Sequence, residues 1–333
     1  MEKIIKYFQD KGFKLDDKFL KHLESGPDIS EKDEYKHDFG IFPPHHNESW
    51  YFNFIDRRNN VFLVTRLSME MHDKKSRIML ILIIDGKANA YYKEIPLEKM
   101  PDNWEYNKKV KYYCIKPMKK WRVKFEDRKF NLDVTYDSIY PVFNFNSARD
   151  PTALLEEFGL EILDVAAQQH YEQAMKVTGT LTFKKTGEIR KINCHGHRDH
   201  SYGTRDWIHI DGWNWAAAKF SDGEYISLSR VEVFGKIFVN GFIATKEGNI
   251  PIKNVDVTTK TRDDGKTPVS SEFIVTDTKG KQRTIITNTI HSIHLPLPSE
   301  KGTTDIYEQI AVFNSDGKEG DGISEYLIST RNK

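Results

Sequence analysis

The sequence predicts a mainly β protein, built as two antiparallel β-barrel or sandwich halves joined by one helix, with a short N-terminal helix. Three observations carry this. Short segments rich in aromatic and β-branched residues follow one another from about Trp50 to the C-terminus. Turn signals such as Asp85-Gly86, Thr186-Gly187, Asp222-Gly223, Asp264-Gly265 and Asp316-Gly317 separate them. Only one stretch between them, residues 148–160, has a helical pattern. Strands that follow one another without crossover helices pair antiparallel and close into barrels or pack as sandwiches.

Taken in order, residues 1–23 read as helical, with Ile4, Ile5 and Phe8 on one face and Phe13 and Leu20 beyond a glycine break. Residues 1–40 form an N-terminal helical segment, and 41–147 a first β domain. In the linking helix, 148–165, Asp150 is placed as N-cap, Pro151 as the first helical residue and Gly159 as a stop. Residues 166–333 form a second β domain.

The bulk numbers exclude several classes. Acidic and basic residues number 49 and 50, so no strong net field draws the chain to nucleic acid or anionic membrane. Basic pieces such as "KPMKKWRVKF" fit a solvated barrel exterior. The N-terminus lacks the apolar core of a signal peptide, and "IMLILIID" at 78–85 is too short to span a bilayer. A cytoplasmic protein without a transmembrane segment is expected, peripheral membrane contact being compatible with the sequence. Cys114 and Cys194, the two cysteines, suit a reducing compartment. Nothing in the sequence bears on oligomeric state.

The densest chemistry lies in "CHGHRDHSYGTRDW", residues 194–207. His195, His197, Asp199 and His200 have the H-x-H-x-D-H spacing by which some hydrolases hold two metal ions. Against a metal, such a loop normally follows an apolar strand, and "GEIRKIN" is polar. As a strand, the stretch puts His195, His197 and Asp199 on one face and Cys194, Arg198 and His200 on the other. Arg198, Asp199, Arg205 and Asp206 are then also able to pair as a structural network.

Residues Gly196 to Trp207, "GHRDHSYGTRDW", resemble the hallmark of a lipocalin-like two-domain family. That family includes carotenoid 1,2-hydratase and kievitone hydratase, and the resemblance is nearest to its uncharacterised bacterial and archaeal relatives. "HHNESWYFNFID" at 45–56, "QQHYEQAMKVTGTLTF" at 168–183, "WNWAAAKF" at 213–220 and "GDGISEY" at 320–326 match in the expected order. His195 fills a position that the family pattern leaves open, so the metal spacing is laid over a different motif. Tyr202 stands where the relatives usually carry tryptophan, and Ser201 where the hydratases carry asparagine.

The resemblance implies a hydrophobic ligand, terpenoid, steroid or lipid-like, in a β-barrel pocket, with proton-driven hydration, dehydration, isomerisation or cyclisation and no cofactor. It places Asp199 as the acid, with His200 beside it as proton relay, and His197 and Arg205 in the same catalytic group. Trp50, His170, Tyr171, Tyr202, Trp207, Trp213 and Trp215 are the expected substrate-binding residues. A carboxylic acid in an apolar pocket becomes a usable donor, and aromatic faces steady a carbocation. The alternatives are a non-enzymatic carrier of the same fold and a metal-dependent hydrolase using the four-residue spacing. Glu48 and Glu325 are expected to pair with arginines such as Arg66 or Arg205 near a barrel mouth.

Overall fold

The computed structural model describes residues 2–24, 28–38, 44–99, 109–148, 151–166 and 168–332. Two short helices open the chain, α1 (Glu2–Asp10) and α2 (Asp17–Glu24). The first sheet contains β1 (His46–Asp56), β2 (Val61–Glu70), β3 (Lys75–Ile84), β4 (Lys87–Pro96), β5 (Val110–Lys116), β6 (Lys120–Glu126), β7 (Phe130–Ser138) and the short β8 (Phe143–Asn144). Helices α3 (Pro151–Phe158) and α4 (Ile162–Val165) follow, then the long strands β9 (Gln168–Phe183) and β10 (Ile189–Thr204). The second sheet runs through β11 (Ile210–Phe220), β12 (Tyr225–Val233), β13 (Lys236–Thr245), β14 (Gly248–Thr261), β15 (Pro268–Asp277), β16 (Gln282–Ser299), β17 (Gly302–Ser315) and β18 (Lys318–Arg331). β11 pairs with β18, so this sheet is a closed barrel.

The mainly β, two-half architecture is the one expected. Its division along the chain differs. Strand order in the first sheet is β4-β3-β2-β1-β10-β9-β7-β6-β5, so the hairpin β9–β10 is inserted between β1 and β7. The sequence reading places this hairpin in the second half, whereas the chain crosses to the barrel only after Thr204. The 148–160 helix is present as α3, ended by Gly159 in a left-handed conformation, and it connects two strands of the first sheet. Asp150 lies outside the described residues. Local patterns cannot reveal such a placement, because it depends on pairing between β1 and β10, some 150 residues apart in register such as Trp50 opposite His200.

Alternation explains how the halves pack. In β6 and β7 the inward residues are Trp121, Val123, Phe125 and Leu132, Val134, Tyr136, and the basic side chains between them face out. Arg122 and Lys124 pair there with Asp133. The sheet curls until its arms meet, with the Tyr91 and Phe125 rings 6.0 Å apart and the Thr65 and Tyr112 hydroxyls hydrogen-bonded at 2.5 Å. Its other face lies on the outside of the barrel through Tyr51, Ile55, Phe62 and Val64 against Ala217, Phe242, Ile310 and Ile323. The barrel interior is filled by Phe220, Phe273, Phe313 and their aliphatic neighbours. All eleven residues of β1 are buried, as befits a central strand covered on both faces. Among the described residues no helix is long and apolar enough to cross a membrane.

Gly196 marks the closest approach of β10 to β1. A Cβ there would stand 2.2 Å from the Asn53 carbonyl oxygen and 2.8 Å from a Val177 methyl. Overpacking against fixed backbone costs about 1–3 kcal/mol or more. Gly196→Ala should therefore lower the urea midpoint by an equivalent amount without changing the far-UV spectrum. An unaltered midpoint would contradict the close approach.

Candidate functional site

β10 sends alternate side chains to two different environments, and each environment has its own chemistry. Arg198, His200 and Tyr202 point into the first half. His195, His197, Asp199 and Ser201 point toward the barrel.

On the inner face, the N-terminal segment plugs the curled sheet. Glu34, fully buried, accepts two hydrogen bonds from Arg198, at 2.6 and 3.1 Å, and Arg198 also donates to Gln173. Trp50 donates to the Glu34 carbonyl and stacks on His200 at 4.4 Å. His200 Nε2 lies 3.0 Å from Glu48, and its Nδ1 lies 3.0 Å from the Tyr171 hydroxyl. Burial lowers the His200 pKa. A neutral ring that donates to Glu48 and accepts from Tyr171 satisfies both contacts. His37 sits between Glu48 (2.7 Å) and Asp33 (3.2 Å). Burial opposes its charge, but hydrogen bonds to Asp33 and Glu48 outweigh it and bring its pKa to about 9. His37, Glu48 and His200 are close enough to suggest a metal site. Their donor and acceptor atoms instead bond one another, with Glu48 between two imidazoles.

On the outer face a cleft of about 840 Å³ opens between the halves, within the usual range for small-molecule sites. Trp207, Trp213, Trp215, Met79, Ile81 and Phe238 line its apolar walls. Asp199 from β10, Arg66 from β2, and Glu308 and Glu325 from the barrel form its polar end, with Arg205. Asp199 is half-buried and lines the open space of the cleft. Among the described residues no side chain hydrogen-bonds its carboxyl. Burial raises its pKa to about 6, against the pull of His170, Arg205 and Arg66.

Glu308 and Glu325 are cross-strand neighbours whose carboxyls hydrogen-bond each other. Burial raises both above the ordinary carboxylate range, and Glu325 adds to the rise of Glu308. Trp213 donates to Glu325 at 2.6 Å, which favours the charged form of that carboxyl. Arg205 donates to Gln168 at 2.7 Å and Ser201 at 3.3 Å. Its guanidinium lies 4.9 Å from the Trp207 ring centre. Burial, then Arg66, lowers its pKa to about 10. Behind the cleft Glu172 accepts from Trp215 at 2.8 Å and from Ser227, and lies 2.9 Å from His170 Nε2.

The structure thus divides the expected site. Asp199, Arg205, His170, Trp207, Trp213 and Trp215 share the cleft. His200, Trp50, Tyr171 and Tyr202 belong to the inner network, so His200 cannot relay protons directly to Asp199: the backbone of β10 separates them. His197 forms the wall behind Trp215, bonded to Tyr225, and burial lowers its pKa to about 4. The four-residue metal set does not converge, because His200 points away from the other three. Arg205 forms a hydrogen-bonded ion pair with neither candidate partner, while Asp206 pairs with His209 at 2.6 Å. Glu48 pairs with histidines rather than arginine, and Glu325 with Trp213 and Glu308. Sequence reasoning missed Glu308. The signal was a carboxylate between Ile306 and Ile310 on one strand face, matched by Glu325 between Ile323 and Leu327.

Fold and site together define a lipocalin-like two-half β protein with a ligand-sized cleft. The chain belongs to the family described as Domain of unknown function (DUF7064), whose model matches residues 30–330. No curated protein matches the chain. The fold is similar to that of a Nitrosomonas europaea protein described as an AttH, with a TM-score of 0.64 at 13% identity over 89% of this chain and 96% of that one. It is also similar to that of kievitone hydratase from Nectria haematococca, with a TM-score of 0.57 at 14% identity over 92% and 95%. Identities this low establish a shared fold.

A pKa of about 6 against an ordinary 3.8 means that folded Asp199 keeps a proton the unfolded chain has released. Stability from this group is complete below pH 3.8 and lost as the pH rises through 6. Asp199→Asn should accordingly stabilise the protein by about 2–3 kcal/mol at pH 8 and hardly at all at pH 4. Urea denaturation at the two pH values measures this, and equal stability at pH 8 would show that the carboxylate is not a strained group. His37, in the inner network, has a dependence of the same sign in a higher pH window. Its stabilisation is complete below pH 6.5 and lost as the pH rises through 9. His37→Gln should flatten the decline in stability over that interval.

Proposed function

We propose that the cleft between the halves binds a hydrophobic small molecule, terpenoid, steroid or lipid-like, and that Asp199 acts on it as a general acid. One observation carries the reading: a half-buried carboxyl that, among the described residues, no side chain hydrogen-bonds shares with three indoles a cleft large enough for such a ligand. The likeness of fold to a hydratase supports it. In a hydration, the acid gives its proton to one carbon of a double bond and leaves a carbocation on the other. Water adds there, and its released proton restores the acid. Indole faces steady the cation, and the desolvated acid has the pKa the step requires. Run in reverse this is a dehydration, and loss of a different proton from the cation gives isomerisation. Glu308, on the facing wall, is a second carboxyl whose pKa burial raises, and Arg205 and Arg66 offset the charge left on Asp199.

The location differs from a barrel pocket. The barrel interior is filled with side chains and the inner face of the first half is plugged by the N-terminal segment, which supports the interface as the ligand space in this reading. The test begins with native mass spectrometry of protein purified without detergent, to identify a retained apolar molecule. With that molecule or its class as substrate, Asp199→Asn should lower kcat by about 10²–10⁴-fold while binding persists. Trp213→Ala should weaken binding instead. Retention of ligand with no turnover by the native protein would establish the carrier reading, and full turnover by Asp199→Asn would remove Asp199 from the chemistry.

A further inference from the structure

A second cavity, of about 270 Å³, lies in the interface around His195, on the opposite side of His197 from the cleft. Its walls come from both halves. Lys176 of β9 and His195 of β10 stand on the first sheet, and Lys219 of β11 stands on the barrel. Both lysines are half-buried, and among the described residues neither has a carboxylate within ion-pair range. The acids nearby are already engaged. Asp321 accepts from Arg57 at 2.7 Å, and Asp56 accepts from Asn59 at 2.8 Å. The exposed Arg58 adds another positive charge at the rim.

Two ammonium groups held in one partly desolvated space repel each other unless a counter-charge joins them. The strain is visible in both neighbours. Burial and Lys176 lower the Lys219 pKa, and burial with both lysines lowers that of His195 to about 4. Among the described residues His195 Nδ1 has no hydrogen-bond partner, and the residue lines the cavity.

We propose that this cavity binds a phosphate-type oxyanion, clasped between Lys176 and Lys219 with His195 as a third donor. The volume exceeds several water molecules at roughly 30 Å³ each, enough for a tetrahedral anion and its remaining hydration. The donors come from three strands in two halves, so the anion ties the sheet to the barrel. A doubly charged phosphate matches two ammonium groups better than a carboxylate does. The site uses His195, the residue that completes the metal-like spacing, for anion contact rather than metal ligation.

The experiment is calorimetric titration of the full chain with inorganic phosphate in chloride buffer at constant ionic strength, and separately with glycerol phosphate. Saturable one-to-one binding is expected, weakened at least tenfold in Lys176→Gln and in Lys219→Gln and abolished in the double variant. Tighter binding of glycerol phosphate would assign the site to a phosphomonoester group, and equal binding to free phosphate. Thermal unfolding should move up with phosphate in the native protein and not in the double variant. No saturable heat beyond that of chloride, or undiminished binding in the double variant, would overturn the proposal. Circular dichroism of the variants confirms that folding is intact.

Discussion

Everything distinctive in this molecule depends on β10 being largely buried on both faces from Gly196 to Tyr202 while carrying Arg198, Asp199, His197 and His200 there. A strand in the middle of a sheet can hide apolar residues at no electrostatic cost. Hiding Arg198, Asp199 and three histidines requires partners for each, because an isolated charge in a low-dielectric interior loses several kcal/mol of hydration. The protein meets this requirement on one face and leaves it incomplete on the other.

The inner face is the satisfied one. Arg198, Glu34, Gln173, Tyr171, His200, Glu48, His37 and Asp33 form a connected set in which nearly every polar atom has a partner. Such a network fixes how the N-terminal segment seats in the curled sheet, and it removes that interior from the space open to a ligand. On the outer face, among the described residues, no side chain hydrogen-bonds the Asp199 carboxyl, and burial raises the pKa values of Glu308 and Glu325. Groups held in an unfavourable state by their surroundings are found at functional sites more often than elsewhere, since reactivity needs the strain that stability would relieve. Fully and partly satisfied faces of one strand thus separate the hallmark residues of the inner network from those at the cleft.

Much of this was legible from local pattern. Alternation divided His195, His197 and Asp199 from Arg198 and His200, and the strand structure keeps that division. The three tryptophans of residues 207–215, expected to bind substrate, line the cleft between the halves. Trp50, Tyr171 and Tyr202 were misplaced because an aromatic residue on a strand has the same appearance whether it faces a plug or a cleft. Pairing His200 with Asp199 took adjacency in sequence for adjacency in space, which a strand does not allow. Glu308 carried a readable signal, a charge amid an apolar face, but its meaning required knowing that Glu325 lies opposite.

The sequence by itself determined the β-rich class, the two halves, the turns and the two-faced character of the hallmark, since all of these follow from residue periodicity and glycine placement over short distances. Tertiary structure alone decided that β9 and β10 join the first sheet, that the first interior is closed by Glu34, and that the ligand-sized space lies between the halves. Each of those outcomes rests on pairings between residues far apart in the chain, whose energies depend on burial and geometry that no local pattern encodes.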